Sequence, residues 1–207
     1  TFGDLGCFSF HDTKNINCGE GGAILINNKS LMEKVDFILE KGTNRKTFLA
    51  GGIDNYTWQS LGSSYGLSEI NAAFLYAQIL ELKNVTKKRK ELYSLYQKCL
   101  KPLKEKERID FPTTKNNHNA HLFFIKVESK KLRNELINYL NKSEISAYFH
   151  YSPLHLSKMG KQYPFISSGN DFSEAESERI VRLPLFYGLT ENDVEIVLNI
   201  VNKYFEQ

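Results

Sequence analysis

A lysine in a polar turn beside a glycine-rich loop is the first feature of this sequence that could do chemistry. Residues 9–14 are Ser-Phe-His-Asp-Thr-Lys, and residues 19–22 are Gly-Glu-Gly-Gly. An ammonium group that is desolvated or close to other cations has a lowered pKa, becomes nucleophilic and can form a Schiff base. Composition alone favours a simpler interpretation, in which Lys14 is a surface lysine and the glycines satisfy tight backbone geometry. The glycine spacing matches neither the P-loop nor the dinucleotide-binding fingerprint.

Short strands and amphipathic helices are predicted to position this turn. Apolar residues at 7–10 and 23–26 predict a strand on each side of it, the second of them buried. Ser30 is expected to cap a helix that has Leu31, Val35, Ile38 and Leu39 on one side and ends at Gly42. Residues 42–64 predict a long irregular loop, a kind of segment that is often functional. Ser68 is expected to cap a helix over residues 69–82, with an apolar stripe of Ile70, Ala73, Phe74, Ala77 and Leu80.

The second half of the chain has a different pattern. A helix is predicted over residues 84–100, followed by strands at 108–111, 121–127 and 145–150 and helices at 130–141 and 172–181. A last helix over residues 191–205 is expected to be capped by Thr190. This alternation is typical of a small α/β domain with a mostly antiparallel sheet. We therefore expect two domains, residues 1–84 and 85–207, with the long helix as the connector.

Composition excludes several function classes. The formal net charge is +3, and the basic run at residues 87–90 is typical of a solvated helix face, so nucleic-acid binding is not expected. No run of about 18 apolar residues predicts a membrane span, and no signal peptide opens the chain. Three cysteines without CxxC spacing indicate a reducing compartment and a cytoplasmic location. The chain begins with Thr rather than Met, so we expect it to be a piece of a longer protein.

Several segments together resemble one protein family. The segments 7–15 and 19–23, with Lys14 and the Gly-Glu-Gly-Gly loop, resemble the lysine segment of the DegT/DnrJ/StrS sugar aminotransferases, which are fold-type I enzymes that use pyridoxal 5′-phosphate (PLP). Further similarity lies at residues 41–45, 56–58, 62–65, 149–155, 176–179 and 182–187. These segments are similar to one branch of the family, the dTDP-4-amino-4,6-dideoxygalactose transaminases of enterobacterial common antigen and lipopolysaccharide biosynthesis. The resemblance implies an α/β fold comprising part of the large PLP domain plus the small C-terminal domain.

The resemblance also implies roles for single residues. Lys14 matches the lysine that binds PLP as a Schiff base and later moves a proton between substrate and cofactor; relatives with histidine there are dehydratases. Ser9 matches the serine whose hydroxyl contacts the PLP phosphate. Many relatives carry an asparagine that reaches the partner subunit's PLP phosphate, whereas this sequence has Gly66. Asn44 or Arg45 is expected to substitute for it, with Asn44 on the cofactor and Arg45 on the substrate.

The second domain contributes further candidates. His150, Tyr151 and His155 lie where the family's small domain borders the active site, and we expect them to contact substrate or to be structural. The two histidines have no carboxylate pattern typical of zinc, so no metal site is expected. Arg179 and Arg182 are interpreted as helix-end charges, with diphosphate contact as the alternative.

The implied function is the transfer of an amino group from glutamate to C4 of a dTDP-linked 4-keto-6-deoxy sugar by a homodimer or higher homo-oligomer. The family's acidic partner of the pyridine nitrogen and its aromatic stacking residue lie upstream of the lysine, and none of the 207 residues matches them. We therefore expect the chain alone to bind little PLP and to self-associate. The alternative is a catalytically silent, truncated or oligomerisation fragment.

Overall fold

The computed structural model describes residues 2–113, 118–164 and 172–206. Backbone contacts divide the chain into two compact units, residues 1–82 and 83–207, called here the N-terminal and the C-terminal unit. The division falls two residues before the boundary expected from the sequence. None of the helices in the described part of the chain combines the length and apolar character needed to span a bilayer.

The N-terminal unit contains a two-stranded antiparallel sheet. Strands β1 (Leu5–Ser9) and β2 (Gly22–Ile26) pair with Cys7 opposite Ile24 and Ser9 opposite Gly22. Both strands were predicted, but the prediction that the second is buried is wrong, because Ile24 and Leu25 are exposed. No other strand among the described residues of this unit pairs with the sheet, so its apolar side chains are left in water.

Three helices complete the N-terminal unit: α1 (Met32–Leu39), α2 (Arg45–Leu49) and α3 (Glu69–Leu80). Ser68 caps α3 as predicted, since its side chain accepts a hydrogen bond from the Asn71 N–H at 3.2 Å. The predicted cap at Ser30 is wrong. Asn28 takes that role, accepting from the Ser30 N–H at 3.1 Å, and a single 3-10 turn then leads into α1. The amide side chain of Asn28, two residues before Ser30, is the better placed acceptor.

The predicted loop at residues 42–64 is mostly irregular but includes α2 and an isolated bridge between Thr43 and Trp58. Gly42 has a φ of +76°, and a Cβ there would lie 1.8 Å from the Ser60 carbonyl oxygen. Only glycine can occupy this position, because the conformation and the close backbone approach both exclude a side chain. The predicted stop of α1 near Gly42 is confirmed, since the helix ends at Leu39.

The C-terminal unit has an antiparallel three-stranded sheet flanked by helices. Its elements in chain order are α4 (Leu82–Glu105), β3 (Phe123–Lys126), α5 (Lys130–Lys142), β4 (Tyr148–Phe149), α6 (Phe172–Ser177), β5 (Ile180–Leu183) and α7 (Glu191–Phe205). The strand order is β3-β5-β4 and both pairings are antiparallel, as predicted.

Two predictions for this unit are wrong in detail. Residues 108–111 make only an isolated bridge, between Asp110 and Lys126, instead of a strand. The helix predicted over residues 172–181 ends at Ser177, and Ile180 and Val181 belong to the central strand β5. These β-branched side chains gain two neighbouring strands in the sheet, which outweighs the helical pattern before them.

The C-terminal unit encloses a continuous hydrophobic core. Tyr96 of α4, Phe123 of β3, Leu136 of α5 and Val194 of α7 are completely buried in it. The Tyr96 and Phe123 rings stack with centroids 4.7 Å apart, and the Tyr96 hydroxyl donates to the Pro184 carbonyl at 2.9 Å. This core packs strands β3 and β5 against helices α4, α5 and α7.

Candidate functional site

Lys14 lies in the loop that joins β1 to β2. Its N–H donates to the His11 carbonyl at 2.9 Å, and the loop is closed by the Phe10 N–H donating to the Gly21 carbonyl at 2.8 Å. The Lys14 side chain is exposed and forms no hydrogen bond or ion pair with any described residue. The backbone of this lysine is therefore fixed while its ammonium group is left available.

The interior of this loop explains its glycines. Ile16 and Cys18 are buried under it, and a Cβ on Gly21 would lie 2.6 Å from the Cys18 sulfur. The Asn71 side chain also donates to the Glu20 carbonyl at 3.1 Å and so ties the loop to α3. The glycine-rich segment thus holds the Lys14 turn closed rather than offering a separate phosphate loop.

Ser9 and His11 begin the same turn. Ser9 is exposed at the end of β1, and its hydroxyl oxygen lies 3.4 Å from the His11 N–H, which donates to it. The His11 ring lies 2.6 Å from the Asp12 carboxylate through Nδ1 and 3.5 Å from the Glu20 carboxylate through Nε2. Ser9 and Lys14 therefore stand at the two ends of one turn, and His11 is held by acidic neighbours within it.

Asn44 and Arg45 lie after α1, where each has a local partner. The Asn44 side-chain oxygen accepts from the Thr57 N–H at 2.7 Å, and Arg45 forms an exposed ion pair with Glu40 at 3.4 Å. At Gly66 an added Cβ would meet nothing within 4 Å, so the backbone there does not require glycine through crowding at the Cβ position.

The three candidates of the C-terminal unit follow β4 but differ in environment. Burial and the nearby charge of Arg182 lower the pKa of His150. The Tyr151 ring is 75% exposed and lies 5.4 Å from the His150 ring. His155 is held by Glu174, with 2.9 Å between Nε2 and the carboxylate. No group of three or more potential metal ligands occurs among the described residues.

A cavity of about 570 Å³ adjoins His150. Besides His150 it is lined by Lys130 and Arg133 of α5 and Glu174 of α6, which the sequence did not single out, and by Glu178 just after α6. A signal for Arg133 was present, because its spacing from Leu136 and Leu140 puts an arginine on the buried stripe of α5.

The two arginines near the end of α6 have different settings. Arg179 donates to the Val127 carbonyl at 2.8 Å and pairs with Glu176 at 3.3 Å, so it acts as a charge at the end of the helix. Arg182 lies on β5 opposite Phe124 and Tyr148, and its interpretation as a helix-end charge is wrong.

Comparison with known proteins places this fold in a family. The DegT/DnrJ/EryC1/StrS aminotransferase family matches residues 1–202. Among solved structures, the chain is 25% identical to an aminotransferase of this family from Brucella abortus (TM-score 0.84), covering 100% of this chain and 52% of that one. It is also 25% identical to Helicobacter pylori PseC, an aminotransferase involved in the biosynthesis of pseudoaminic acid (TM-score 0.86), covering 99% of this chain and 54% of that one.

A third match is S. venezuelae DesV, determined in complex with a ketimine intermediate: 25% identity, TM-score 0.84, 99% of this chain and 53% of that one. The chain thus spans about half the length of the structures it matches. These matches confirm the predicted α/β fold as part of a PLP aminotransferase, and PLP is the cofactor of this family. The chain therefore belongs to the DegT/DnrJ/EryC1/StrS aminotransferase family.

Proposed function

We propose that the protein is a PLP-dependent sugar-nucleotide aminotransferase in which Lys14 holds the cofactor. The amino group would come from glutamate and go to C4 of a dTDP-linked 4-keto-6-deoxy sugar. The observation that carries the proposal is the Lys14 turn, where a hydrogen-bonded loop fixes the lysine backbone and leaves its ammonium group exposed and unpaired among the described residues. Family membership over residues 1–202 supports it.

Residues of the Lys14 turn fit two groups of PLP, its aldehyde and its phosphate. The Lys14 amine suits the aldehyde carbon, and the Ser9 hydroxyl at the start of the same turn suits a phosphate oxygen. The Asn44 side-chain NH₂ makes no hydrogen bond to a described residue, so it can donate to the phosphate while its oxygen holds Thr57. When bound, PLP supplies an electron sink that lets an amino group pass between two carbon skeletons.

Lys14 would have a second task in this reaction. With PLP bound but not attached to the lysine, the Lys14 Nζ could accept a proton from one carbon and return it to another. A lysine on a fixed turn suits this role, because its backbone is held by hydrogen bonds while its flexible side chain can move. Losing Lys14 would therefore remove both cofactor attachment and proton transfer.

We propose Arg45, His150, Tyr151 and His155 as substrate contacts. Arg45 is exposed beside Glu40 and can offer its guanidinium group to a phosphate. The lowered pKa of His150 keeps its ring neutral at pH 7, so the ring can both donate and accept. Tyr151 presents its exposed ring and hydroxyl, while His155 is held in place by Glu174. A cytoplasmic homodimer or larger homo-oligomer remains part of this proposal.

The test is an amine-formation assay with dTDP-4-keto-6-deoxyglucose and glutamate, using protein from the complete reading frame. Lys14→Ala and Lys14→Arg should each lower the rate by at least about a thousandfold, because a residue with two catalytic tasks is removed. Lys29→Ala, which removes another exposed lysine of the N-terminal unit, is the control and should keep full activity. An active Lys14→Ala variant would refute the role of Lys14, and no amine product with any nucleotide-linked keto sugar would refute the reaction.

A second candidate function is a catalytically silent oligomerisation module. The observation that favours it is the exposed apolar surface of α3, where Ile70, Phe74 and Leu80 face solvent in the described structure. Large exposed apolar patches mark interaction surfaces more often than chance. Two results together would support this function over the first. The complete reading frame would contain neither the family's acidic partner of the pyridine nitrogen nor its aromatic stacking residue, and light scattering would show concentration-dependent self-association.

A further inference from the structure

The cavity of the C-terminal unit contains opposite charges that make no direct contact with PLP or the sugar nucleotide in the proposed reaction. Its volume, about 570 Å³, lies within the range of small-molecule sites. The walls come from the start of α5, from the segment after β4 and from α6, all within one unit. Phe149, Pro153 and Leu156 supply apolar surface, and Arg133 and Glu174 supply opposite charges.

Arg133 is the cationic group of this cavity. The residue is only 8% exposed, and its guanidinium carbon lies 5.5 Å from the centroid of the Phe149 ring. Its Nε donates to the Asn134 side chain at 3.0 Å, and one terminal nitrogen donates to the Ser177 carbonyl at 3.5 Å. The other terminal nitrogen has no hydrogen-bond partner among the described residues. It is not fully buried, because no fully buried side-chain nitrogen in the described part of the chain lacks a partner. An arginine has five N–H donors, so several remain open to the cavity.

Glu174 is the anionic group that can complement it. One of its carboxylate oxygens lies 2.9 Å from His155 Nε2. The other makes no hydrogen bond to a described residue. The second acid of the lining, Glu178, is already paired with Lys130 at 2.6 Å. Lys130 and Glu178 thus neutralise each other. Arg133 and Glu174 are then the charged groups of the lining that still have atoms free to form hydrogen bonds with a ligand.

We propose that this cavity binds a free α-amino acid, with its carboxylate on Arg133 and its ammonium group on Glu174. The planar guanidinium fork matches a carboxylate through two parallel hydrogen bonds. A phosphate would meet the same arginine but would also face the charge of Glu174, which the ammonium group of a zwitterion would instead neutralise. Apolar side chains of the ligand would lie against Pro153 and Leu156.

This inference concerns equilibrium binding and is separate from amino transfer. His150 lines the cavity and is also a proposed substrate contact, so the two must be distinguished by experiment. Measuring binding in a Lys14→Ala background does so, because that variant cannot hold the cofactor through the lysine. Failure of the transfer reaction would then leave the binding result intact, and the reverse also holds.

The experiment is isothermal titration of the Lys14→Ala protein from its complete reading frame with the standard L-amino acids, beginning with L-glutamate. At least one should bind saturably. Glutarate, which lacks the ammonium group, butylamine, which lacks the carboxylate, and inorganic phosphate should each bind at least about tenfold more weakly, since each forfeits a charge-assisted hydrogen bond.

Variants then assign the two charges. Arg133→Met and Glu174→Gln should each weaken binding by about tenfold or more. Lys131→Met, which removes an 86%-exposed cation two residues before Arg133 on α5, is the matched control and should change nothing. If Arg133→Met does not fold, Arg133→Lys keeps the charge without the fork and should still weaken binding, while the more exposed Glu174→Gln tests the other end.

Three outcomes would overturn the proposal. The first is no saturable binding of any amino acid at about 10 mM, a concentration that would nearly saturate a site with a Kd of 1 mM. The second is amino-acid binding that survives the substitutions of both Arg133 and Glu174, which would place the site elsewhere. The third is phosphate binding tighter than that of every amino acid, which would make the cavity an anion site.

Discussion

The two units contain the same kinds of element, but their apolar side chains meet different surroundings. Leu136 on α5 is completely buried, as are Tyr96 and Val194 on the helices around it, whereas Ile70 on α3 is 82% exposed. Among the described residues of the N-terminal unit, the apolar side chains that are buried are those of Ile16, Cys18 and Leu75. The C-terminal unit is thus stabilised by its own core, and the N-terminal unit is held mainly by local hydrogen bonds.

This difference shows that a correct local pattern does not by itself bury a side chain. The apolar residues of α3 recur every three or four residues, as those of α5 do, and its cap at Ser68 is formed just as the cap of α5 at Ser129 is. What α3 lacks within its unit is an apolar surface to pack against.

The largest expected contrast is between two leucine-to-alanine changes on helices. Leu136→Ala should lower the free energy of unfolding by about 2–5 kcal/mol, since it leaves a cavity in a closed core. Leu80→Ala on α3 should change it by less than about 0.5 kcal/mol, because that side chain is already in water. Denaturant unfolding measures both. A loss of unfolding free energy at Leu80 equal to that at Leu136 would contradict this prediction and show that the α3 face is covered in solution.

A smaller contrast is expected between the helix caps. Thr190 and Asp193 form a capping box at the start of α7, with the Asp193 N–H donating to the Thr190 hydroxyl at 3.1 Å. Thr190→Ala should lower the stability of the C-terminal unit by about 1 kcal/mol. Ser68→Ala should instead speed amide hydrogen exchange only in the first turn of α3, because the apolar side chains of this helix are mostly exposed. Exchange that spreads over the whole N-terminal unit would contradict this.

The smallest effect is a change in the pH dependence of stability. Burial works against ionisation of Asp110, but hydrogen bonds from Lys104 and the Phe111 N–H and the charge of Lys104 hold the pKa of Asp110 below its ordinary value. A carboxyl group with a lowered pKa stabilises the fold above its unfolded pKa, about 3.9, and this contribution is lost as the pH falls through the folded value. Asp110→Asn should therefore make the loss of stability below about pH 4 less steep.

Thermal unfolding between neutral and acidic pH checks this prediction. Asp36→Asn is the matched control, because it removes a carboxylate that pairs with Lys46 in the N-terminal unit. It should leave the acid dependence of the C-terminal unit unchanged. If stability falls as steeply below about pH 4 in Asp110→Asn as in the unchanged protein, the network with Lys104 and Lys126 does not hold this carboxylate ionised in solution.

Elements with local signals could be predicted from the sequence, and those that depend on distant partners could not. The helices α3, α5 and α7 follow from their caps and apolar spacing, which lie within a few residues of one another. The start of strand β5 was predicted to be helical, because it becomes a strand only by pairing with β3 and β4, which are far away in sequence. The exposure of Ile24 was missed for the same reason, since burial depends on what covers the strand.

The candidate site shows the same limit. Lys14 and Ser9 stand out through their motif, and Gly21 follows from the tight turn that the motif requires. Arg133 and Glu174 face one cavity although they lie on different helices, and no spacing in the sequence connects them. The arginine on the apolar stripe of α5 was a local signal, but its acidic counterpart becomes evident only in the folded unit.

The most direct test of the central claim is to locate the lysine that holds the cofactor. Protein from the complete reading frame is mixed with PLP, reduced with borohydride and digested, and the pyridoxyl-bearing peptide is identified by mass spectrometry. We expect one pyridoxyl group per chain, on Lys14, and none in Lys14→Ala. Stoichiometric labelling of a different lysine, or equal labelling of the Lys14→Ala variant, would contradict it.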